Sequence, residues 1–310
     1  MSHRVKDTKS SYRHNETEFQ PAYPPVLKAA KSEEHLLKNG YVVIRNFLPN
    51  EAIVALLEYN KNNQPDFFND AILNTVWHTH DSEYKNRTVE LITKCFEKQC
   101  QFHFKDFRLL GGAFVIKQPG PKAVSAPHFD LGIVDEESFR AFSIWVPLTN
   151  VNRQNGALMV VPKSHIFNGI FRGPNIPNPV TEIQDWLWDS GKEISVQAGD
   201  AVVYDHRLIH GSRANVTDDD RIVASCTLTS EDAKMVLYYL DDERTSVHAH
   251  EVNQEHFFNS DPSKPPVGTR PIKSWPYLGK QVSKADLPFV SKPPLISRIR
   301  LKLLQWRQGK

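Results

Sequence analysis

In the stretch "SAPHFDLGI", residues 125–133, a histidine and a carboxylate stand one residue apart in an otherwise apolar run. On an extended backbone, side chains alternate with a period of two, so His128 and Asp130 would share a face while Phe129 turns away. Alone, the pair reads more readily as a hydrogen-bonded structural pair than as half of a metal site. A third residue changes the balance: His210 closes a run of strong β character, "DAVVYDHRLIH". Two imidazoles and one carboxylate on one face of an octahedral ion leave three positions open, the preferred holder of non-haem Fe(II) in oxygenases. An oxo-acid cosubstrate takes two of those positions by chelation and dioxygen the third. The far carboxylate of such an acid needs a permanently charged, bidentate partner, and Arg221 begins the next apolar run eleven residues after His210. The polar connection predicts that the two strands lie side by side as a hairpin, with Ser212 adding a hydroxyl donor to the same carboxylate.

These side chains need a scaffold. From about Arg108 onward the chain is a series of short runs rich in Val, Ile, Phe, Tyr and Trp, broken by Gly, Pro, Asn and Asp turns. Short strands without interleaved long helices predict a sandwich or barrel, not a parallel α/β sheet. Upstream, "SEEHLLKNGYVVIRNFL" reads as a helix capped by Ser32 and ended at Gly40, then a strand, and "NEAIVALLEYNKN" as a second helix capped by Asn50. Residues 1–31 read as a flexible lead-in, 32–260 as one domain, and 261–310 as a proline-rich extension. Within the domain, about 168–192, "RGPNIPNPVTEIQDWLWDSG" reads as an inserted lid, with Trp186 and Trp188 buried in it.

Composition excludes several classes. The chain has 310 residues, 40% hydrophobic and 24% charged, with a formal charge of +2, which is not the field of a nucleic-acid binder. It lacks phosphate loops, a serine-nucleophile elbow and an apolar run long enough to span a bilayer, so a soluble cytoplasmic protein is expected. Cys95, Cys100 and Cys226 form no CxxC pair and are expected to be reduced and structural.

Taken jointly, these motifs resemble those of the phytanoyl-CoA dioxygenase family of Fe(II)- and 2-oxoglutarate-dependent oxygenases. The likeness runs through "LLKNGYVVIRNFL", the HFD of residues 128–130, "IWVPLTNVNRQNGALMVVPKSH" and "HGSRANVTDDDR", roughly residues 32–230. It implies a double-stranded β-helix, a jelly-roll barrel with flanking helices. It also implies iron ligands at His128, Asp130 and His210, a cosubstrate clamp at Arg221 with Ser212 beside it, and Trp145 lining the cosubstrate pocket. Oxidative decarboxylation of 2-oxoglutarate by O2 would then give succinate, CO2 and oxidation of an unactivated C–H bond of a small molecule, expected to be a specialised or biosynthetic metabolite because the barrel-facing chain shows no compact basic cluster for coenzyme A phosphates. A retained carboxylate at Asp130 implies hydroxylation or a related oxidation in place of halogenation. The chain departs from the family at Pro127, where an aromatic is frequent, and at Lys163, where glycine is usual. The competing readings are a metal- or ligand-binding jelly roll without turnover and an acyl-CoA hydroxylase of the same family.

Other polar residues are weighed against blander roles. "WHTHD" and "VHAHE" have metal-like spacing but lack a third ligand, so they read as polar surface or pocket lining, with His78 and His80 as candidates to face substrate. Arg172 reads as a loop arginine with a secondary role as a partner for an anionic substrate group, and His165 as a turn-stabilising hydrogen bonder. The tail "PPLISRIRLKLLQWRQGK" can form a basic amphipathic helix, for which packing on the protein or on a second subunit is favoured over a membrane surface. A monomer or homodimer is expected, acting on a small molecule without nucleic acid.

Overall fold

The structure, a computed structural model, describes residues 23–63, 72–74, 76, 79, 81–167, 169–259 and 263–290. Its order opens α1 (Ala30–Asn39), β1 (Tyr41–Ile44), α2 (Asn50–Asn62), β2 (Ile72–Asn74), α3 (Ser82–His103), β3 (Phe107–Lys117), β4 (Ser125–His128), β5 (Ala141–Pro147) and β6 (Leu158–Val160). It continues α4 (Gln184–Ser190), β7 (Lys192–Ile194), β8 (Ala201–Asp205), β9 (His210–Ser212), β10 (Arg221–Ser230), β11 (Val236–Leu240), β12 (Ser246–Glu251), α5 (Gln254–Asn259) and β13 (Lys273–Pro276). Pairing is antiparallel throughout. A six-stranded sheet, β1-β8-β5-β10-β3-β2, accompanies a four-stranded sheet, β4-β9-β6-β7, and β11-β12-β13 form a third. This is the jelly-roll barrel with helices packed on its larger sheet.

The strand period explains how the large sheet serves two sides at once. On β5, Phe142, Ile144 and Val146 join the core beneath α1, α2 and α3, while Ser143 and Trp145 turn inward and line a cavity. β8 repeats the pattern with Ala201 and Val203 outward, Val202 and Tyr204 inward. The outer core is aromatic, with Phe47, Phe96, Phe114 and Phe142 almost wholly enclosed.

Several expectations are corrected. Helix α1 is flanked by Ala29, not capped by Ser32, and Pro49 stands before α2 where Asn50 was expected. The 22-residue α3, whose Asp81 side chain accepts from the Tyr84 amide, was not read from the sequence. The proline-rich stretch is not free of regular structure: β13 pairs with β12, and Val282, Leu287 and Val290 are buried in a cluster with Phe129. None of the insertion's described residues lines the cavity. Val180, Ile183 and Leu187 pack against Phe129, Val161 and Ile209, bracing the far side of β4, because its apolar residues have a partner surface there. Trp186 and Trp188 are only partly buried at its edge. The basic tail helix and most of the lead-in lie outside the described residues.

Candidate metal centre and cosubstrate pocket

His128 and His210 come together because they are direct cross-strand partners of β4 and β9, with ring centroids 4.3 Å apart. The strands approach closely at Gly211, where a Cβ would stand 2.8 Å from the Ser125 carbonyl oxygen. Strand β4 is shorter than the sequence suggests, ending at His128. Between Ser125 and His128 its register shifts against β9, and Pro127, which has no N–H to give a ladder, falls within that irregularity. Asp130 lies beyond the strand, its amide bonded to the His206 carbonyl. Phe129, just past the end of the strand, is buried in an apolar cluster with Val161, Ile183 and Leu187.

The donor atoms of His128, Asp130 and His210 all lie within 4.8 Å of one another, the one group of this kind among the described residues. Asp130 Oδ1 stands 3.5 Å from His210 Nε2 and 4.0 Å from His128 Nε2. A carbonyl oxygen only accepts, so the contacts of His128 Nδ1 with Ala126 O (2.7 Å) and of His210 Nδ1 with Leu208 O (2.9 Å) place a proton on each Nδ1. A ring whose proton sits on Nδ1 leaves Nε2 as the atom that can give a lone pair to the common point, as a metal requires. Burial and the neighbouring His210 pull the His128 pKa down to about 4, which keeps that ring neutral. Burial pushes Asp130 upward, but His210, His206, His128 and the Ser143 hydroxyl outweigh it and hold the carboxyl at about 2. Ser143 Oγ donates to Asp130 Oδ2 at 2.9 Å, leaving Oδ1 for a cation. The donor set fits a divalent iron of the two-histidine, one-carboxylate kind.

A cavity of about 430 Å³ runs past this cluster, within the roughly 300–1,000 Å³ typical of small-molecule sites. Arg221, Ser212 and Trp145 line it, and the hairpin expected between the strands of Ser212 and Arg221 is not formed. β9 and β10 belong to different sheets, because the connection after Ser212 crosses the barrel, and Arg221 therefore approaches from the opposing wall. The guanidinium is 3% exposed. It lies 5.3 Å from the Trp145 ring centroid and gives one hydrogen bond to the Gly156 carbonyl, while Nε, also buried, has no partner among the described residues. Burial pulls its pKa down to about 10. No carboxylate pairs with it among the described residues, so a dicarboxylate cosubstrate would supply the missing anion. Lys117, opposite Arg221 in the β3–β10 ladder, gives its ammonium protons to the carbonyls of Ala123, Ser212 and Arg213 and so fixes the end of β9.

Three lining residues were not singled out from the sequence. Ser143 and Tyr204 are cross-strand partners on β5 and β8, and the Tyr204 hydroxyl interacts with Asp130 and Ser143. His206 Nε2 contacts Ser143 Oγ at 3.2 Å. Alternation from Trp145 back to Ser143 and onward from Tyr204 to His206 was the signal available. Arg172 is corrected: it is buried and absent from the cavity wall, giving Nε–H to the Asp130 carbonyl and pairing with Glu136. It secures the loop after β4. His165 donates through Nε2 to the Leu37 carbonyl, and His248 and His250 contact Ser274 and Thr269. His78 and His80 lie outside the described residues.

The fold and this cluster define a jelly-roll protein with a two-histidine, one-carboxylate centre. The family model for phytanoyl-CoA dioxygenase matches residues 36–223, and the chain belongs to that family. It is 29% identical over 123 residues to phytanoyl-CoA dioxygenase domain-containing protein 1 of Danio rerio, covering 37% of this chain and 42% of that protein. Against the peroxisomal phytanoyl-CoA dioxygenase of Rattus norvegicus it is 31% identical over 104 residues, 30% of this chain and 29% of that one. The matches thus span less than half the length of these curated relatives. The fold matches the crystal structure of the epimerase SnoN in complex with Fe3+, alpha ketoglutarate and nogalamycin RO, with a TM-score of 0.52 and 17% identity over 83% of this chain and 96% of that chain. Among the described residues no helix is long and apolar enough to cross a membrane.

Proposed function

We propose that the protein is an Fe(II)- and 2-oxoglutarate-dependent dioxygenase that oxidises an unactivated C–H bond of a small molecule. The observation that carries the reading is Arg221: a buried cation with an orphaned Nε, on the same cavity as a ready-made iron ligand set. His128, Asp130 and His210 would hold the metal, Arg221 with Ser212 would take the far carboxylate of 2-oxoglutarate, and Trp145 would lie under that clamp. When bound, iron and the oxo acid supply the oxidation, one oxygen atom of O2 entering succinate and the other the hydroxylated product, with CO2 released. The chain's own part is positional. Carbonyls of Ala126 and Leu208 fix the tautomers of the ligating rings, Ser143 holds the second oxygen of Asp130, and the apolar barrel wall excludes water.

Residues 32–260 would form the catalytic unit, with the extension wrapped around it. Three free cysteines among the described residues are compatible with a reducing, cytoplasmic setting. A monomer or homodimer is the proposed state. The test is His210→Ala, which is expected to lose iron retention and succinate release together. Unchanged succinate release in that variant would remove His210 from the ligand set.

A further inference from the structure

Past the metal cluster the cavity changes character. Leu110, Leu131, Ile133 and Met235 make its wall there, with Thr227 and Gln254 as hydrogen-bonding groups. The space is created by an irregularity in the β3–β10 ladder, where Gly111 and Gly112 oppose Cys226 alone. Gly111 has φ 65° and nothing within 4 Å of a would-be Cβ, whereas Gly112 lets α3 pack close. Of the described lining residues, Arg221 alone is a lysine or arginine, and it stands six residues along β10 from Thr227, roughly 20 Å at the rise of a strand.

Four cations near these walls have other partners: Arg172 is taken by Glu136, Arg140 and Arg207 by Asp205, and Lys117 by three carbonyls, while Lys94 lines an adjoining groove together with Glu90 and Glu97. Phosphate groups are recognised by arginine, lysine or clustered N–H donors, and a buried anion without such partners is strongly disfavoured.

We propose that the substrate is an uncharged, largely apolar small molecule, oriented by hydrogen bonds to Thr227 and Gln254, and not a coenzyme A thioester or other phosphorylated compound. This deepens the oxygenase reading and rests on it for the position of the oxidised carbon. The test is displacement of the neutral dye N-phenyl-1-naphthylamine from full-length, Fe(II)- and 2-oxoglutarate-loaded protein under argon. Decan-1-ol, decanoate and decanoyl-coenzyme A, which share a chain and differ in charge, are the competitors. Decan-1-ol is expected to displace the dye at a concentration about tenfold or more below either anion. Equal or better displacement by decanoyl-coenzyme A, or failure of the dye to bind, overturns the proposal.

Met235→Lys, which sets an ammonium in the apolar wall, is expected to raise the dye's Kd about tenfold. An unchanged Kd places the dye elsewhere and overturns the assignment of this wall. Should that variant not fold, the wild-type competition decides alone. The visible absorption of the iron and oxo-acid complex is read from the same samples. Its absence, with the preference for decan-1-ol intact, removes the oxygenase reading and leaves the cavity's preference standing.

Discussion

A guanidinium buried as deeply as Arg221 costs the free protein several kcal/mol unless an anion meets it. Stability and function should therefore separate at this residue. Arg221→Met is expected to stabilise the protein without cosubstrate by about 1–3 kcal/mol in urea titrations, because it removes an uncompensated charge at similar volume. The same variant should weaken 2-oxoglutarate binding about a hundredfold, measured by calorimetry, through loss of a charge-assisted pair. Destabilisation with binding intact would mean that Arg221 is structural. The sequence pointed to His128, Asp130, His210, Arg221 and Ser212 through residue type and spacing along expected strands, and to Trp145 through the family resemblance alone. Arg172 was misread since its partner, Glu136, is set by the path of a loop. Ser143, Tyr204 and His206 were hidden because serine, tyrosine and histidine on a strand look the same whether they face water or an enclosed cavity.

At the scale of elements, two backbone positions govern the site's supports. Lys163 sits at φ 71° before the short helical turn at Ser164–Ile166, a left-handed conformation that glycine adopts freely. Lys163→Gly is expected to stabilise the fold by about 1 kcal/mol, read as a shift in thermal midpoint. Gly211→Ala would push β9 off β4 at the Ser125 carbonyl, parting the two histidine-bearing strands. Its expected effect is weaker iron retention at near-native helix content, and unchanged retention would show that the strands can adjust. Strand texture revealed the barrel, but not which sheet each strand joins. The connection after Ser212 is short enough to suggest a hairpin, but tertiary bonds hold it across the barrel: the Asn215 amide group reaches the Lys117 and Asp219 carbonyls, its backbone carbonyl accepts from Gly120, and the Val216 amide reaches the Gln154 carbonyl. The apolar stripe of α3, including Tyr84, Thr88, Ile92, Phe96 and Cys100, was present in the sequence but diluted by polar neighbours.

Over the whole molecule, acid stability follows from several buried groups, of which His165 and Asp205 lie outside the metal centre. Burial pulls the His165 pKa down to about 4, against the partial support of Asp205, and its Nδ1 has no partner to receive an added proton. Its folded pKa lies below the ordinary value, so the unfolded chain takes up the proton first. Stability is full above about pH 6.5 and falls, by roughly 3 kcal/mol, as the pH drops toward 4. Burial pushes the Asp205 carboxyl up, but Arg207 and Arg140 outweigh it and hold it well below the usual carboxylate range. Its contribution is complete above about pH 4 and is lost below that, so both groups act in the same direction. Urea midpoints measured from pH 7 to pH 4 should decline, and His165→Gln should flatten the upper part of that decline. The central claim is that one cavity holds both iron and an oxo acid. Anaerobic titration of the metal-free protein with Fe(II) and then 2-oxoglutarate should produce a weak visible charge-transfer band that saturates at one equivalent of iron and is missing in Arg221→Met. A folded, iron-loaded wild-type protein that gives no such band would contradict it.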